Sequence, residues 1–211
     1  MQGFSLRRSQ LVDINLVHHG SKQGYDLRYS DFYRANMQKA HLFNANLQQA
    51  SLMKADLRGA NMHCANLEDA NLLGARLEDA RLDNVHWGHY VMQEKMARKS
   101  SDPAARQDYL EQAEEVYRNL RRVLENEGLF EQAGYFFRRE MVMRRYQMPY
   151  YSVRRFVSRM VDLFCGYGER PLRIMFFSVF LIFGFAVAYF LNGVNDGGKL
   201  VKFSPDLPLY E

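Results

Sequence analysis

The sequence lacks most of the residue combinations on which enzymes and metalloproteins depend. Its only cysteines, Cys64 and Cys165, are far apart, so they offer no disulfide framework and fit a reducing compartment. His63 precedes Cys64, but the remaining histidines are spread over other parts of the chain, and no metal site is predicted. No nucleophile, general base and oxyanion donor converge, and no phosphate-binding loop is found. The sequence therefore predicts a protein that is not an enzyme, with no cofactor and no small-molecule substrate.

What the sequence has instead is a five-residue repeat that runs from 25 to 87. Successive copies in residues 45–64 read ANLQQ, ASLMK, ADLRG and ANMHC. The residue two positions before the apolar centre is Ser30 before Phe32 and alanine in every repeat from Ala35 to Ala80. A period of five is neither the 3.6 of a helix nor the 2.0 of a strand, so it predicts a solenoid that points one side chain inward per corner. The predicted core residues are Leu27, Phe32, Met37, Leu42, Leu47, Leu52, Leu57, Met62, Leu67, Leu72, Leu77 and Leu82.

This pattern resembles A(D/N)LXX, the signature of the pentapeptide-repeat family, without a gap from 25 to 87. The resemblance implies a right-handed quadrilateral β-helix with four pentapeptides per coil. On that fold one side stacks Leu27, Leu47, Leu67 and Trp87, and the inward alanines are small because the interior is narrow. The repeat continues weakly upstream from Phe4. The step from Leu16 to Leu27 is eleven residues, or two repeats plus one, which predicts a one-residue insertion and a bulge within HGSKQG.

The outward positions of the repeat carry varied side chains and little net charge. Some family members mimic DNA with an acidic surface and occupy DNA gyrase. Residues 4–88 contain ten Lys and Arg against nine Asp and Glu, a net charge of +1, whereas a duplex mimic needs a strongly negative surface. The charge count disfavours that reading and predicts no nucleic-acid partner. A protein partner is expected instead, on exposed positions such as Tyr29, Tyr33, Phe43 and Met53.

A second feature is the uncharged run Ile174–Leu191, IMFFSVFLIFGFAVAYFL. As a helix it is about 27 Å long, enough to cross a thin hydrocarbon core. The alternative is a buried core helix, but the rest of the chain supplies too little apolar surface to surround one. Before the run stand nine arginines from Arg138 to Arg173, and only Lys199 and Lys202 follow it. The positive-inside bias predicts a single-pass protein of the cell membrane with its repeat domain and N-terminus in the cytoplasm.

Between the repeat and the span, the sequence predicts helices. Asp102 and Pro103 form a helix start, an apolar stripe runs from Leu110 to Leu124, and Gly128 ends the helix. A second helix follows from Phe130 to about Met148. This hairpin resembles half of a tetratricopeptide unit. It is expected to pack on the end of the β-helix or against copies of itself, and binding of a partner peptide is the alternative. The last coil around Trp87 is expected to be capped by the neck, with an end-to-end dimer contact as the alternative.

Residues 150–165 form a different kind of segment, basic and amphipathic. The apolar side chains fall on one side and the arginines on the other, which predicts a helix lying on the anionic cytoplasmic leaflet; a surface helix of the soluble part is the alternative. The tripeptide GYG at Gly166–Gly168 is predicted to be an elbow between the amphipathic helix and the span. It is not predicted to be a selectivity filter, because a filter must follow a pore helix between two spans. The lipid-facing basic residues are predicted to be Arg154, Arg155, Arg159, Arg170 and Arg173.

The runs YFFRREMVMRR and LFCGYGERPLRI, followed by a span, resemble the region before the pore in pentapeptide-repeat proteins that have a two-span, potassium-channel-like domain. This chain shows no pore helix, filter or second span after Asn192, and residues 203–211 are of the kind expected to lead into a pore helix. The predicted function is a membrane-anchored scaffold or regulatory module that binds a protein partner or copies of itself. The alternative is a channel subunit whose pore is missing from this chain.

The predicted fold class is mixed: a β-helix, an α-helical neck and one transmembrane helix. The predicted segments are a pentapeptide-repeat β-helix at 4–88, a helical neck at 89–149, an amphipathic helix with an elbow at 150–171, a transmembrane helix at 172–194 and a short extracytoplasmic tail at 195–211.

Overall fold

The computed structural model describes residues 3–17, 24–192, 194–196 and 199–201, the last two segments by their backbone. The repeat region is followed by helices α1 (Met92–Lys99), α2 (Pro103–Asn126), α3 (Phe130–Gln147), α4 (Val153–Cys165) and α5 (Pro171–Asn192). A 3-10 helix, Gly166–Gly168, lies between α4 and α5, and strands β1 (Val194–Asp196) and β2 (Lys199–Val201) follow α5. The chain divides into two compact units, Met1–Ser158 and Arg159–Glu211.

The repeat region is a stack of coils joined by parallel bridges rather than by extended strands. Asp26 pairs with Asn46, Asn46 with Asn66, and Asn66 with His86. The partners are 20 residues apart, so each coil contains four pentapeptides, as the resemblance implies. Each bridge is reinforced from both sides: the Leu47 amide donates to the carbonyl of Asn66 at 2.8 Å, and the Asn66 amide donates to the carbonyl of Ala45 at 2.9 Å. The right-handedness of the coil stays a prediction.

The pentapeptide signature follows from the geometry of one side of a coil. Leu47 points inward with no exposed surface, and its carbonyl accepts a hydrogen bond from the Ala50 amide at 3.0 Å. Gln49 turns the corner with a φ of 58°, in the left-handed region that costs L-residues roughly 1–2 kcal/mol. The Asn46 side chain accepts a hydrogen bond from the Gln48 amide at 3.2 Å. Aspartate or asparagine before the central leucine therefore satisfies a backbone N–H that the turn leaves without a carbonyl partner.

The stack begins further upstream than the strict repeat, and the insertion is larger than the sequence predicts. Ser5 pairs with Asp31, Gln10 with Asn36, and Asn15 with His41. These partners are 26 residues apart, six more than in the other coils. The one-residue insertion predicted in HGSKQG is therefore wrong, because Leu16 stacks in register with Leu42 rather than with Met37. The bulge predicted there falls largely on residues 18–23, which lie outside the described residues.

The last coil is covered by a helical cap made of α1, α2 and α3. Trp87, in the last repeat, packs edge to face on Phe136 of α3, with ring centroids 5.6 Å apart. The Asn119 side chain of α2 donates to the carbonyl of Ala75 at 2.8 Å, and Gln93 of α1 donates to the side chain of Asn71 at 2.7 Å. The cap therefore supplies polar partners and apolar cover to a coil that has no further coil above it.

The neck contains one more helix than the predicted hairpin. Helix α1, Met92–Lys99, has no sequence signal as clear as the start of α2, where the Asp102 carboxylate accepts hydrogen bonds from the amides of Ala104 and Ala105 at 3.1 Å. The start predicted at Asp102 is confirmed. Helix α2 ends at Asn126, and Gly128 adopts a φ of 76°, as a helix-terminating glycine does.

The second unit contains most of α4, the 3-10 helix and α5. Gly166, Tyr167 and Gly168 have φ values of 57°, 61° and 96°. These left-handed residues break the helix between α4 and α5. Strands β1 and β2 pair antiparallel, Val194 with Val201. The remainder of the tail predicted at 195–211 lies outside the described residues.

Candidate interaction surfaces

The interior of the rod leaves no room for a ligand, so its outer faces are the candidate sites. All twelve predicted core residues are buried, with exposed fractions between 0% and 3%. The alanines beside them from Ala35 to Ala80 are buried as well. Among the described residues, no group of three or more His, Cys, Asp or Glu side chains is arranged to hold a metal ion.

The four-pentapeptide coil sorts the outward residues into columns 20 positions apart. One column, here called the Tyr33 column, is Tyr33, Met53 and Leu73, all half-buried. Its neighbours at the following corner are Arg34 and Lys54, both exposed. Two guanidinium groups face the Tyr33 ring, those of Arg7 at 4.9 Å and Arg34 at 5.2 Å from the ring centroid. This column presents apolar side chains beside positive charge.

The other columns of the described coils are more polar. Arg28, Gln48 and Glu68 form one, and Gln38, Arg58 and Glu78 form another; Gln48 donates to Glu68 at 2.9 Å. The Asp56 carboxylate beside them accepts two hydrogen bonds from Arg58, at 2.8 and 2.7 Å, and these bonds hold the pKa of Asp56 below its usual value. Many hydrogen-bonding groups of the polar columns therefore have their partners within the rod.

The four residues expected to bind a partner do not share one face. Tyr33 and Met53 belong to the Tyr33 column, and Tyr29 lies at the corner just before it, 56% exposed. Phe43 is two pentapeptides beyond Tyr33, which places it on the opposite side of a four-sided coil. There its ring stacks on His63 with centroids 5.6 Å apart. The sequence analysis missed Leu73, although its spacing of 20 from Met53 marks it as the third member of the column.

The helical cap contains a buried charged cluster centred on Glu94. This α1 side chain is 1% exposed and accepts hydrogen bonds from Arg98 at 3.0 Å, from the Tyr117 hydroxyl at 2.7 Å and from Arg139. Burial, together with the Glu94 charge, raises the pKa of Tyr117 well above its ordinary value. Burial alone would lower the pKa of Arg139, but the hydrogen bond and charge of Glu94 raise it. The cluster ties α1 to α2 and α3.

A second charged group joins α2 to α3. Glu140, buried on α3, accepts from Arg121 at 2.9 Å and from Arg118 at 3.3 Å. Glu114 of α2 accepts from Arg144 at 3.1 Å and from Gln147 at 2.7 Å. Both groups use cap arginines as structural ion pairs with partners inside the cap.

Among the described residues, one helix segment, Pro171–Leu191, is apolar and long enough to cross a membrane, and none of its side chains is buried. The tripeptide Gly166–Gly168 forms a 3-10 helix before this segment. Of the predicted lipid-facing arginines, Arg154, Arg159 and Arg170 are exposed and Arg173 is half-exposed. Arg155 donates to the carbonyl of Met148 at 2.8 Å.

Comparison with known proteins gives one family match. Eight copies of the model described as pentapeptide repeats match residues 26–59 and 60–86. The match begins one coil later than the bridges do, because the bridged residues 5–15 precede it. No match was found among curated protein sequences.

Three solved pentapeptide-repeat structures are similar to part of the chain. HetL of Nostoc sp. strain PCC 7120, described as involved in heterocyst differentiation regulation, is 30% identical over 39% of this chain and 46% of its own, with a TM-score of 0.26. A second protein from Nostoc PCC 7120 is 28% identical over 41% and 66%, with a TM-score of 0.26. A protein of the Arabidopsis thaliana thylakoid lumen is 26% identical over 40% and 51%, with a TM-score of 0.21. The chain thus covers less than two thirds of each, and the match to the pentapeptide-repeat model is confined to residues 26–86.

Proposed function

Because residues 26–86 are a pentapeptide-repeat domain, we propose that the protein is an interaction scaffold that holds a protein partner at a membrane. The partner binds the Tyr33 column of the rod, and α5 anchors the chain in the bilayer. The observation that supports this function best is the contrast between columns. The rod has a sealed interior, and in one of its columns the three successive outward side chains of Tyr33, Met53 and Leu73 are apolar or aromatic.

The chemistry of the Tyr33 column indicates what kind of partner fits it. Tyrosine and methionine are enriched at protein interfaces because they bury large areas of adaptable surface. The exposed Arg34 and Lys54 at the corner add positive charge along one edge, which favours an acidic partner and speeds encounter with it. The partner surface is therefore expected to combine apolar side chains with carboxylates.

The membrane part of the proposal is supported by α5 and by the charges that flank it. A helix of 21 apolar-rich residues with no buried side chain would expose a large apolar surface to water unless lipid or protein covered it. Arg170 and Arg173 stand at its start, and arginine is concentrated on the cytoplasmic side of single spans. The repeat domain is accordingly expected to face the cytoplasm.

Site-specific photo-crosslinking in the source cell tests the partner surface. A photoreactive phenylalanine replaces Tyr33 or Met53 in the full chain, and the matched control replaces Gln38 or Arg58, which lie on the neighbouring polar column. We expect one adduct of the same mass from both positions of the Tyr33 column and much weaker adducts from the control positions. The adduct mass also distinguishes a second copy of this chain from a different protein.

Equal crosslinking from both columns, or none from the Tyr33 column, would contradict the proposal. Circular dichroism spectra and thermal midpoints of the variants show whether each substituted chain is still folded. Outward substitutions on the rod are expected to leave both nearly unchanged, because none of them alters an inward leucine or alanine.

A further inference from the structure

Helix α4 has an apolar arc that the described residues leave exposed or half-exposed, apart from the contact of Phe164 with Phe177 of α5. At 100° per residue, its apolar side chains fall within about 160° of its circumference. They are exposed or half-exposed, with Phe156 62% and Val157 52% exposed, and no residue of α4 is buried. The arc consists of Val153, Phe156, Val157, Met160, Val161, Leu163 and Phe164.

The first turns of α4, up to Ser158, make their contacts through the polar side of the helix. Arg155 donates to the carbonyl of Met148 at 2.8 Å, and its guanidinium lies 5.2 Å from the Tyr150 ring centroid. Arg145 of α3 donates to the carbonyl of Ser158 at 3.4 Å. These contacts lie on the polar side of the helix and leave most of the apolar arc exposed. Arg155 acts as a protein contact rather than as one of the lipid-facing residues that the sequence predicts.

Arg154 and Arg159 lie at the two edges of the arc. By the same helical spacing, Arg154 is about 20° beyond Val161, and Arg159 is about 40° beyond Leu163. Both arginines are exposed. A helix with an apolar face between two long cationic side chains matches the boundary of a bilayer, where the stems lie along acyl chains and the heads reach anionic headgroups.

The connection to α5 fixes which surface the arc meets. Five residues separate Cys165 from Pro171, so the end of α4 lies within about 20 Å of the start of α5. Phe164 contacts Phe177, with ring centroids 4.5 Å apart, which holds the end of α4 against the first turns of α5. If α5 begins at the membrane surface, the end of α4 lies at that same surface.

We propose that α4 lies in the headgroup layer of an anionic leaflet. Its apolar arc faces the acyl chains, and Arg154 and Arg159 bind anionic lipid headgroups. This inference rests on the proposed membrane anchoring by α5, but it adds a second, charge-dependent attachment. Lipid charge then controls whether α4 is docked on the membrane or released from it.

Fluorescence quenching by brominated lipids tests the docking in the full chain reconstituted into vesicles. Phe156→Trp reports on the arc, Phe176→Trp reports on α5, and Arg122→Trp on exposed α2 is the control outside the membrane. The unmodified chain gives the background of Trp87, its single tryptophan. We expect strong quenching at 176 in all vesicles, strong quenching at 156 in anionic vesicles only, and background quenching at 122.

The arginine variants test the headgroup contact. One basic residue near an anionic surface changes the ratio of docked to released helix by about five-fold, so Arg154→Gln with Arg159→Gln should lower it by about 25-fold. The charge-matched control, Arg106→Gln with Arg122→Gln on α2, should leave it unchanged. The readout is quenching at 156 as the anionic fraction of the vesicles is raised.

The outcomes separate this inference from the anchoring on which it rests. Background quenching at 176 overturns the membrane span and the docking with it. Quenching at 176 with background quenching at 156 overturns the docking alone and means that protein or water covers the arc. Quenching at 156 that depends neither on lipid charge nor on the two arginines overturns the headgroup contact.

Discussion

Trp87 of the last repeat meets Phe136 of α3 edge to face, with 5.6 Å between ring centroids. The indole N–H donates to Gln132 of the same helix at 3.4 Å. These contacts join the repeat domain to its cap. Solenoids need such caps, because a terminal coil otherwise exposes apolar surface and backbone groups that seek a partner.

Removing that contact should destabilise the first unit. Trp87→Ala should lower its free energy of unfolding by about 2 kcal/mol, less than the roughly 3–5 typical of a fully buried tryptophan, because Trp87 is only half-buried. Far-ultraviolet circular dichroism during thermal unfolding in detergent measures the loss. Phe130→Ala, where the ring is 71% exposed, is the control and should change little. Equal effects of the two substitutions would argue against the capping role.

The buried cluster at Glu94 makes a stronger prediction. Glu94→Ala leaves Arg139 without its carboxylate partner inside the cap, and such broken pairs cost about 3–5 kcal/mol. Urea unfolding followed by the fluorescence of Trp87 measures the change. Glu125→Ala, which breaks the exposed pair with Arg121, should cost about 1 kcal/mol or less. A Glu94 variant as stable as the parent would show that the pair is not needed in the fold.

The inward and outward positions of the rod should respond differently to truncation. Leu52→Ala opens a cavity in a fully buried stack and should cost about 2–5 kcal/mol. Met53→Ala, one position later and pointing outward, should change stability by only about 0.5 kcal/mol while weakening the proposed partner contact. The pair is compared by urea unfolding and by crosslinking through Tyr33. A Met53 variant that unfolds like the Leu52 variant would contradict the assignment of the outward column.

Alkaline pH should destabilise the cap through Tyr117. Burial raises the pKa of this hydroxyl above its ordinary value of 10.0, so the folded protein retains a proton that the unfolded chain releases. The stabilisation is fully present below about pH 10 and is lost as the pH rises above it, by about 1.4 kcal/mol per pH unit for one group.

Urea midpoints between pH 8 and pH 11 measure this slope. Tyr117→Phe should be less stable at pH 8, because the hydrogen bonds to Glu94 and from the Val91 amide are lost, and its alkaline slope should be smaller. Tyr135, whose pKa is also raised by burial, retains part of the slope. An unchanged slope in the Tyr117 variant would assign the effect to other groups.

A charge in the middle of α5 should impair membrane insertion. Leu181→Arg places a cation near the centre of the apolar segment, which costs about 2.5–3.5 kcal/mol on insertion scales. Leu172→Arg, at the start of the segment, should insert nearly normally because its side chain can reach the interface. Resistance to alkaline extraction from membranes is the measurement. Equal extraction of both variants would contradict a span centred near Leu181.

The repeat, and a helix boundary marked by a capping residue, could be predicted from the sequence. Both depend only on residues that are close together in the chain. Leu47 is buried because its pentapeptide has one apolar centre, and α2 begins at Asp102 because a carboxylate caps free amides there. Helix α1 was missed because it has no such signal, and its side chains contact residues distant in sequence, Asn71 and Asp69 of the rod. Such long-range contacts leave no periodic signal in eight residues.

The sequence by itself determined the five-residue period, the inward residues and the apolar segment, since each is set by residue type at fixed spacing. Only the tertiary structure decided which outward residues meet. It stacks Tyr33, Met53 and Leu73 in register, turns Phe43 to the opposite side, and sets the coil containing the insertion at 26 residues rather than 21. In it the Arg155 side chain donates a hydrogen bond to the carbonyl of Met148, whereas Arg154 and Arg159 are exposed. The physical reason is that register and side-chain partners are fixed by backbone hydrogen bonds between coils and helices distant in sequence, which no single repeat encodes.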